Sequence, residues 1–337
     1  MIHSRKIEMP GQGIREILAQ AFDRSQDCEA WSDSPLIVDY FQQVIGIPAF
    51  SFQKCLQGQT PSHNCIVIPT DPHGRPIPKI TTNPDFYERH FGKSACLMIP
   101  FRSFAQPHNN SSEAEIYLLE SLNKINLIDA STNVRQIIHA LSSNSNYLKI
   151  NSQLGTKLEI ELGDNLQIVR PKTSPSIKPG EWVSIAQYLE VGIIPLAQKN
   201  SFRVDGELHA NGFAIAHHII KANLALPEAL TAWNKLSNRK NGYIVSIENN
   251  QCTSIKTSIG EEIKEEILVH TDASSRGKLL ELAFSTINMT DTPNWGINSQ
   301  INEAWGGIHI AFGAGVTGAH IDFIDTVAET SWQQTER

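Results

Sequence analysis

The chain lacks a disulfide framework, a long apolar run, an excess of basic residues and the short motifs of nucleophile-based hydrolysis. Its five cysteines (Cys28, Cys55, Cys65, Cys96 and Cys252) are scattered and form no C-x-x-C pair. That usage fits free thiols in a reducing cytoplasm, where the protein is expected, and leaves any metal to His, Asp and Glu. No run of 18 or more apolar residues is present, so no transmembrane helix and no membrane partner are expected. Residues 1–8 are too polar for a signal peptide. With 28 Lys and Arg against 35 Asp and Glu, the net charge of −7 excludes the basic stripe of a general nucleic-acid binder. A G-x-S-x-G elbow is missing, so Ser-His-Asp catalysis has no support. Cys-His catalysis has none either.

What is present is an ordinary globular composition spread over 337 residues, long enough for two domains. Residues 13–25 carry a helical apolar period, and 113–125 and 132–142 also read as helices, the second opening after Ser131-Thr132 as a cap. Residues 65–69 and 95–100 are short apolar runs ending at proline, the pattern of strands buried on both faces of a parallel sheet. Strand and helix alternate here, which predicts an α/β N-terminal layer over 1–146.

From residue 147 the pattern changes. Residues 147–150 and 157–162 alternate apolar with polar side chains, as half-exposed strands do. Strands are also expected at 202–204, 212–216 and 242–247, and helices at 260–269 and 274–283. The boundary falls between about 145 and 178, before or within a Pro-rich stretch, and an α+β C-terminal domain over 147–330 is expected.

The most pointed chemistry lies near the C-terminus. Gly306-Gly307-Ile308-His309-Ile310-Ala311-Phe312-Gly313 precedes Gly315-Val316-Thr317-Gly318-Ala319-His320-Ile321-Asp322-Phe323. Residues i and i+2 of a strand share a face, so His320 and Asp322 point the same way. With His309 nearby they form half of a metal site. Glu190 and Glu281 are acids embedded in apolar runs, and a carboxylate so placed needs a charge partner or a cation.

Across 147–323 the order of these segments resembles the aminopeptidase T/aminopeptidase S family of metallopeptidases. The matching elements are Gly155-Thr156-Lys157-Leu158, Glu190-Val191 with Pro195, Val204-Asp205-Gly206 and Asn249-Asn250-Gln251-Cys252. The strand around Glu281, the His309 segment and His320-Ile321-Asp322 complete the series. The resemblance implies a thermophilic-aminopeptidase-like two-domain architecture and a homodimer. It also implies a pair of divalent metals (zinc first; iron, cobalt or manganese as alternatives) on Glu190, Glu281, His309, His320 and Asp322. A metal-dependent hydrolase acting on a peptide or amino-acid-like substrate follows, with Glu190 or Glu281 as catalytic base. The family carries a tyrosine soon after the first of these histidines, on a longer loop; residues 310–319 contain none.

The same scaffold is similar to that of iron-dependent ring-cleaving dioxygenases, which implies one iron on His309, His320 and Asp322. It is also similar to crocagin-type peptide-binding proteins of ribosomal-peptide natural-product pathways, through the short first domain with Ile99-Pro100-Phe101-Arg102 and the compact C-terminal motif. That resemblance implies a protein that holds a peptide without cleaving it. Arg102, after a buried strand, reads as a surface arginine, with contact to a substrate carboxylate as the alternative. Of His217 and His218, on opposite sides of a strand, at most one is expected to approach the site; His209 is expected in a loop. Residues 313–318 echo a dinucleotide loop, but a strand follows instead of a helix.

Overall fold

The computed structural model describes residues 11–23, 27–70, 84–99, 111–143, 147–169, 171–195, 201–218, 221–239 and 242–333; Arg102 lies outside them. By internal packing the chain forms two units, Met1–Ser131 with Ser174–Tyr188, and Thr132–Thr173 with Leu189–Arg337. This division differs from a linear break at 146/147. The Leu127–Ser142 helix runs across it, and 174–188 returns to the first unit because it carries that unit's last strand.

The first unit holds a parallel sheet of β1 (Cys28–Ser32), β2 (Ala49–Ser51), β3 (Asn64–Ile68), β4 (Ala95–Met98) and β8 (Trp182–Ser184), in the order β2-β1-β3-β4-β8. Cys65, Ile66, Val67, Ile68, Ala95, Cys96 and Leu97 are all buried. A strand covered on both faces needs apolar residues at consecutive positions, and these runs supply them. Asn126 caps the Leu127–Ser142 helix, its side chain accepting from Ile128 and Asp129 backbone N–H groups. The helix therefore starts earlier than Ser131-Thr132 suggested, because the amide oxygen of Asn126 satisfies its first orphan donors.

The second unit is built on two antiparallel sheets. One contains β5 (Tyr147–Asn151), β6 (Lys157–Leu162), β10 (Phe202–Ala210), β12 (Tyr243–Glu248), β13 (Gln251–Thr257) and β17 (Glu329–Gln333), ordered β13-β12-β10-β6-β5-β17. The other contains β7 (Gln167–Ile168), β9 (Glu190–Ile194), β11 (Gly212–Ala216), β14 (Leu279–Ser285), β15 (Ile308–Phe312) and β16 (His320–Asp325), ordered β11-β16-β15-β14-β9-β7. Asn249 and Asn250, at φ 50° and 61°, make the tight turn between β12 and β13, the left-handed pair that suits the twist of a hairpin.

Residues 274–283 are not a helix. A three-residue 3-10 turn, Ala273–Ser275, gives way at Gly277 (φ 72°) to β14. A short apolar run is ambiguous by period alone, and tertiary pairing with β9 and β15 decides it. The side chains of Leu282, Phe284, Ile310, Phe312, Ile321 and Phe323 share one face of the second sheet and are buried. That face meets the first sheet of the unit: Phe284 and Trp332 rings stand 6.1 Å apart, Phe323 and Tyr243 rings 5.6 Å. The apolar face is thus spent on the sandwich, and the opposite face is left for other chemistry.

Candidate functional site

Strand register puts all five sequence-derived candidates on that opposite face. Asp322 pairs with Ala311, and Ala311 with Glu281. His309 pairs with Ala283, which pairs with Gly192. Glu190 pairs with Ser285, two residues on from Ala283, and His320 precedes Asp322 by two. Partners across a ladder share a face, as do residues two apart, so the five converge from four strands.

Small residues make the convergence possible. Gly192, Ala283, Ala311, Ala214 and Ala216 form the floor between the polar side chains. At Gly192 a Cβ would collide with Oε1 of Glu281. That glycine lets the carboxylate lie flat across β9 toward His320.

The imidazoles are oriented from behind. His309 Nδ1 donates to the carbonyl of Glu303 at 3.1 Å, and His320 Nδ1 donates to the carbonyl of Gly313 at 2.6 Å. A carbonyl only accepts, so each ring carries a proton on Nδ1 and turns Nε2 to the carboxylates. His309 Nε2 stands 3.8 Å from Glu190 Oε2 and 3.8 Å from Asp322 Oδ1. His320 Nε2 stands 3.6 Å from Glu281 Oε2 and 3.1 Å from Asp322 Oδ1. Asp322 is therefore the shared member of two imidazole-carboxylate groups. Asp322 and His309 are buried, whereas the side chains of Glu190, Glu281 and His320 are 20%, 18% and 21% exposed, so solvent reaches the cluster from their side.

The electrostatics follow. Burial by itself lowers the His320 imidazole, but Asp322 and Glu281 outweigh it and push the group up to about 10. With its Nε2 proton directed at two carboxylates, His320 is an imidazolium at neutral pH.

The donor chemistry fits a divalent ion. Two ring nitrogens fixed by backbone carbonyls and three carboxylates are the ligand types of zinc, manganese or iron. Ligands about 2.1 Å from a tetrahedral ion stand about 3.4 Å apart, close to the separations above. The side chains as placed nevertheless contact one another. Among the described residues no group of three or more His, Cys, Asp or Glu is arranged to hold a metal ion. The structure thus brings the five candidate residues together through imidazole-carboxylate contacts.

The turn between β15 and β16 has a structural task. Asp272 Oδ1 accepts from Thr317 N at 2.6 Å and Thr317 Oγ1 at 2.8 Å. Burial pushes the Asp272 carboxyl up, but donors from Thr317, Gly315 and Ala314 hold it below its usual range. The segment that echoed a dinucleotide loop is a turn wrapped round this carboxylate. Asp272 and Gly192 were not singled out in the sequence, because Asp272 sits in no motif, Gly192 holds an unspecified position of one, and both act through residues distant in sequence.

Of the remaining histidine candidates, His209 lies on the other sheet of the unit, whereas His217 and His218 follow the end of β11, whose Ala216 pairs with His320. His209 lies on β10 instead of in a loop, packed against the Gly155 turn. Thr156 of that turn donates to Asp325 Oδ2 at 2.5 Å and accepts from His209 N at 2.9 Å, so the Gly155-Thr156 motif fastens one sheet to the other. His218 donates its backbone N–H to Gly315 O at 2.5 Å, against the turn that leads into His320.

A family model for crocagin biosynthetic protein CgnE/B matches residues 29–333, nearly the whole chain and both units. This chain belongs to the crocagin biosynthetic protein CgnE/B family. The match falls on the crocagin-type branch of the sequence resemblance and gives no support to its aminopeptidase branch. A comparison with curated proteins finds no match for this CgnE/B-family chain. Among solved structures it is similar to 2,5-dihydroxypyridine dioxygenase from Pseudomonas putida KT2440, with 12% identity and a TM-score of 0.47, over 96% of this chain and 93% of that one. That likeness is too distant to bring the dioxygenase's chemistry to the family member described here. No helix among the described residues is long and apolar enough to cross a membrane.

Proposed function

We propose that this chain is a peptide-binding protein of a ribosomal-peptide natural-product pathway, and that it holds its peptide without hydrolysing it. The observation that carries the reading is the family match over both units. Two features support the absence of hydrolysis. The turn between β15 and β16 is short, contains no tyrosine and is tied to Asp272. The candidate bases Glu190 and Glu281 stand beside His309 and His320, and the imidazolium of His320 gives Glu281 a charge partner that restrains it as a general base.

A second reading is favoured by the orientation of the two imidazoles. Both Nδ1 atoms are committed to backbone carbonyls, the arrangement that presents Nε2 to a metal. In this reading His309, His320, Glu190, Glu281 and Asp322 would be the residues that hold a divalent ion. A bound ion would supply Lewis-acid polarisation of a carbonyl.

Calorimetry of the purified protein with the pathway's precursor peptide tests the first reading, with mass spectrometry of the peptide afterwards. Binding with the peptide mass unchanged is expected. A shortened peptide would restore the hydrolase reading. Elemental analysis of the same preparation, before and after chelator, tests the second.

A further inference from the structure

The second unit contains a cavity of about 700 Å³ away from the His-carboxylate cluster. Its volume lies within the range of about 300–1,000 Å³ common to ligand sites. One wall is β17, through Thr330 and Trp332; the facing wall is the Leu127–Ser142 helix, through Asn133 and Ile137, one turn apart. The floor is the end of β14 and the turn after it, from Phe284 to Asn288, with Gly306 and Gly307 beside them. At both glycines a Cβ would meet backbone oxygen, of Thr326 and Asp325 respectively, so the floor is kept low there.

Strand β17 is an edge. It pairs with β5 on one side only, and no strand among the described residues covers its other side. An edge strand presents backbone N–H and C=O groups to whatever lies alongside. Here a cavity of small-ligand volume lies alongside, with a helix as its far wall. The lining supplies carboxamides from Asn151 and Asn288, which both donate and accept as a peptide bond does, and from Asn133, whose Nδ2 already donates to the Thr286 carbonyl. It supplies apolar surface from Ile137, Phe284 and Trp332, and among the described residues its only ionisable member is Glu329.

We infer that this groove binds an extended peptide segment, which adds as a strand to the free edge of β17. Main-chain hydrogen bonds hold the backbone, and alternate side chains enter the apolar pocket formed by Phe284, Trp332 and Ile137. The near absence of charge in the lining selects an uncharged segment with apolar side chains two residues apart. The inference rests on the peptide-binding reading above and gives that reading a location. It separates peptide capture, at the margin of the sandwich, from the cluster on the outer face of the second sheet.

Hydrogen-deuterium exchange on the full chain, with and without the synthetic precursor peptide, tests it. The peptide is expected to slow exchange at 329–333 and 284–288 and to leave 320–325 unchanged. Asn288→Lys, an exposed change that puts a charge in the groove, is expected to weaken binding at least tenfold with an unaltered circular-dichroism spectrum. Thr330→Pro, which removes one edge N–H and stiffens the strand, is expected to do the same. Peptide binding with protection elsewhere, and equal affinity for the Asn288→Lys protein, would overturn the groove and leave the peptide-binding reading standing. No binding by the unaltered protein would overturn both.

Discussion

Gly192 on β9 lies under the carboxylate of Glu281 on β14, so close that a methyl group on Gly192 would occupy the place of Oε1. The contact links two strands through the absence of a side chain, and it fixes where one of the five cluster residues points. Gly192→Ala is expected to destabilise the protein by about 1–3 kcal/mol, the usual cost of forcing a methyl into a packed site. Glu281→Ala should relieve that clash. The double variant is then expected to melt closer to Glu281→Ala than additivity allows, which thermal denaturation of all four proteins measures.

The imidazole of His320 gives a pH signature. Its folded-state value is raised to about 10 by Asp322 and Glu281 against the opposing effect of burial. A group raised on folding contributes stability that is full below its unfolded value of about 6.5 and is lost as pH rises through about 10. Metal-free protein is expected to lose melting temperature between about pH 6.5 and pH 10. His320→Asn should flatten that decline. An identical decline in the variant would show that the charge pairing with Asp322 contributes nothing.

The same proton competes with metal. A divalent ion on His320 Nε2 must displace it, so zinc or manganese uptake by chelator-treated protein is expected to strengthen with rising pH and to release protons. Titration calorimetry in buffers of different ionisation enthalpy counts those protons. Asp322→Asn, which removes the shared carboxylate, should reduce uptake more than Glu190→Gln or Glu281→Gln.

The cysteines are expected to be inert. All five are buried; burial pushes the Cys55 and Cys252 thiols up to about 12 and raises that of Cys28, and a hydrogen bond with Cys65 together with burial raises that of Cys96. A thiol-disulfide reagent should titrate fewer than one thiol per native chain and all five after denaturation. Rapid labelling of the native protein would contradict the packing of the first unit around β1, β3 and β4.

Much of the site was legible in the sequence because its chemistry is written at short range. The two-residue spacing of His320 and Asp322 fixes their common face in any strand, and acids inside apolar runs mark Glu190 and Glu281. The convergence of β9, β14, β15 and β16 was legible only through family resemblance, since register is a long-range property of the sheet. β14 itself reads as a helix when taken alone, and only pairing on both sides makes it a strand. Gly192 and the carbonyls of Glu303 and Gly313 carry no side-chain signal at all. The parallel character of the first sheet followed from doubly buried apolar runs. Completion of that sheet by β8, from beyond β5 to β7, depended on contacts that no local pattern encodes.

Equilibrium binding of the full-length precursor peptide to purified protein, followed by mass spectrometry of the recovered peptide, bears on the function more directly than any variant. Saturable binding at one site per chain, with the peptide recovered at unchanged mass with and without added zinc or manganese, is the expected result. No binding, or a peptide cleaved in the presence of metal, would contradict it.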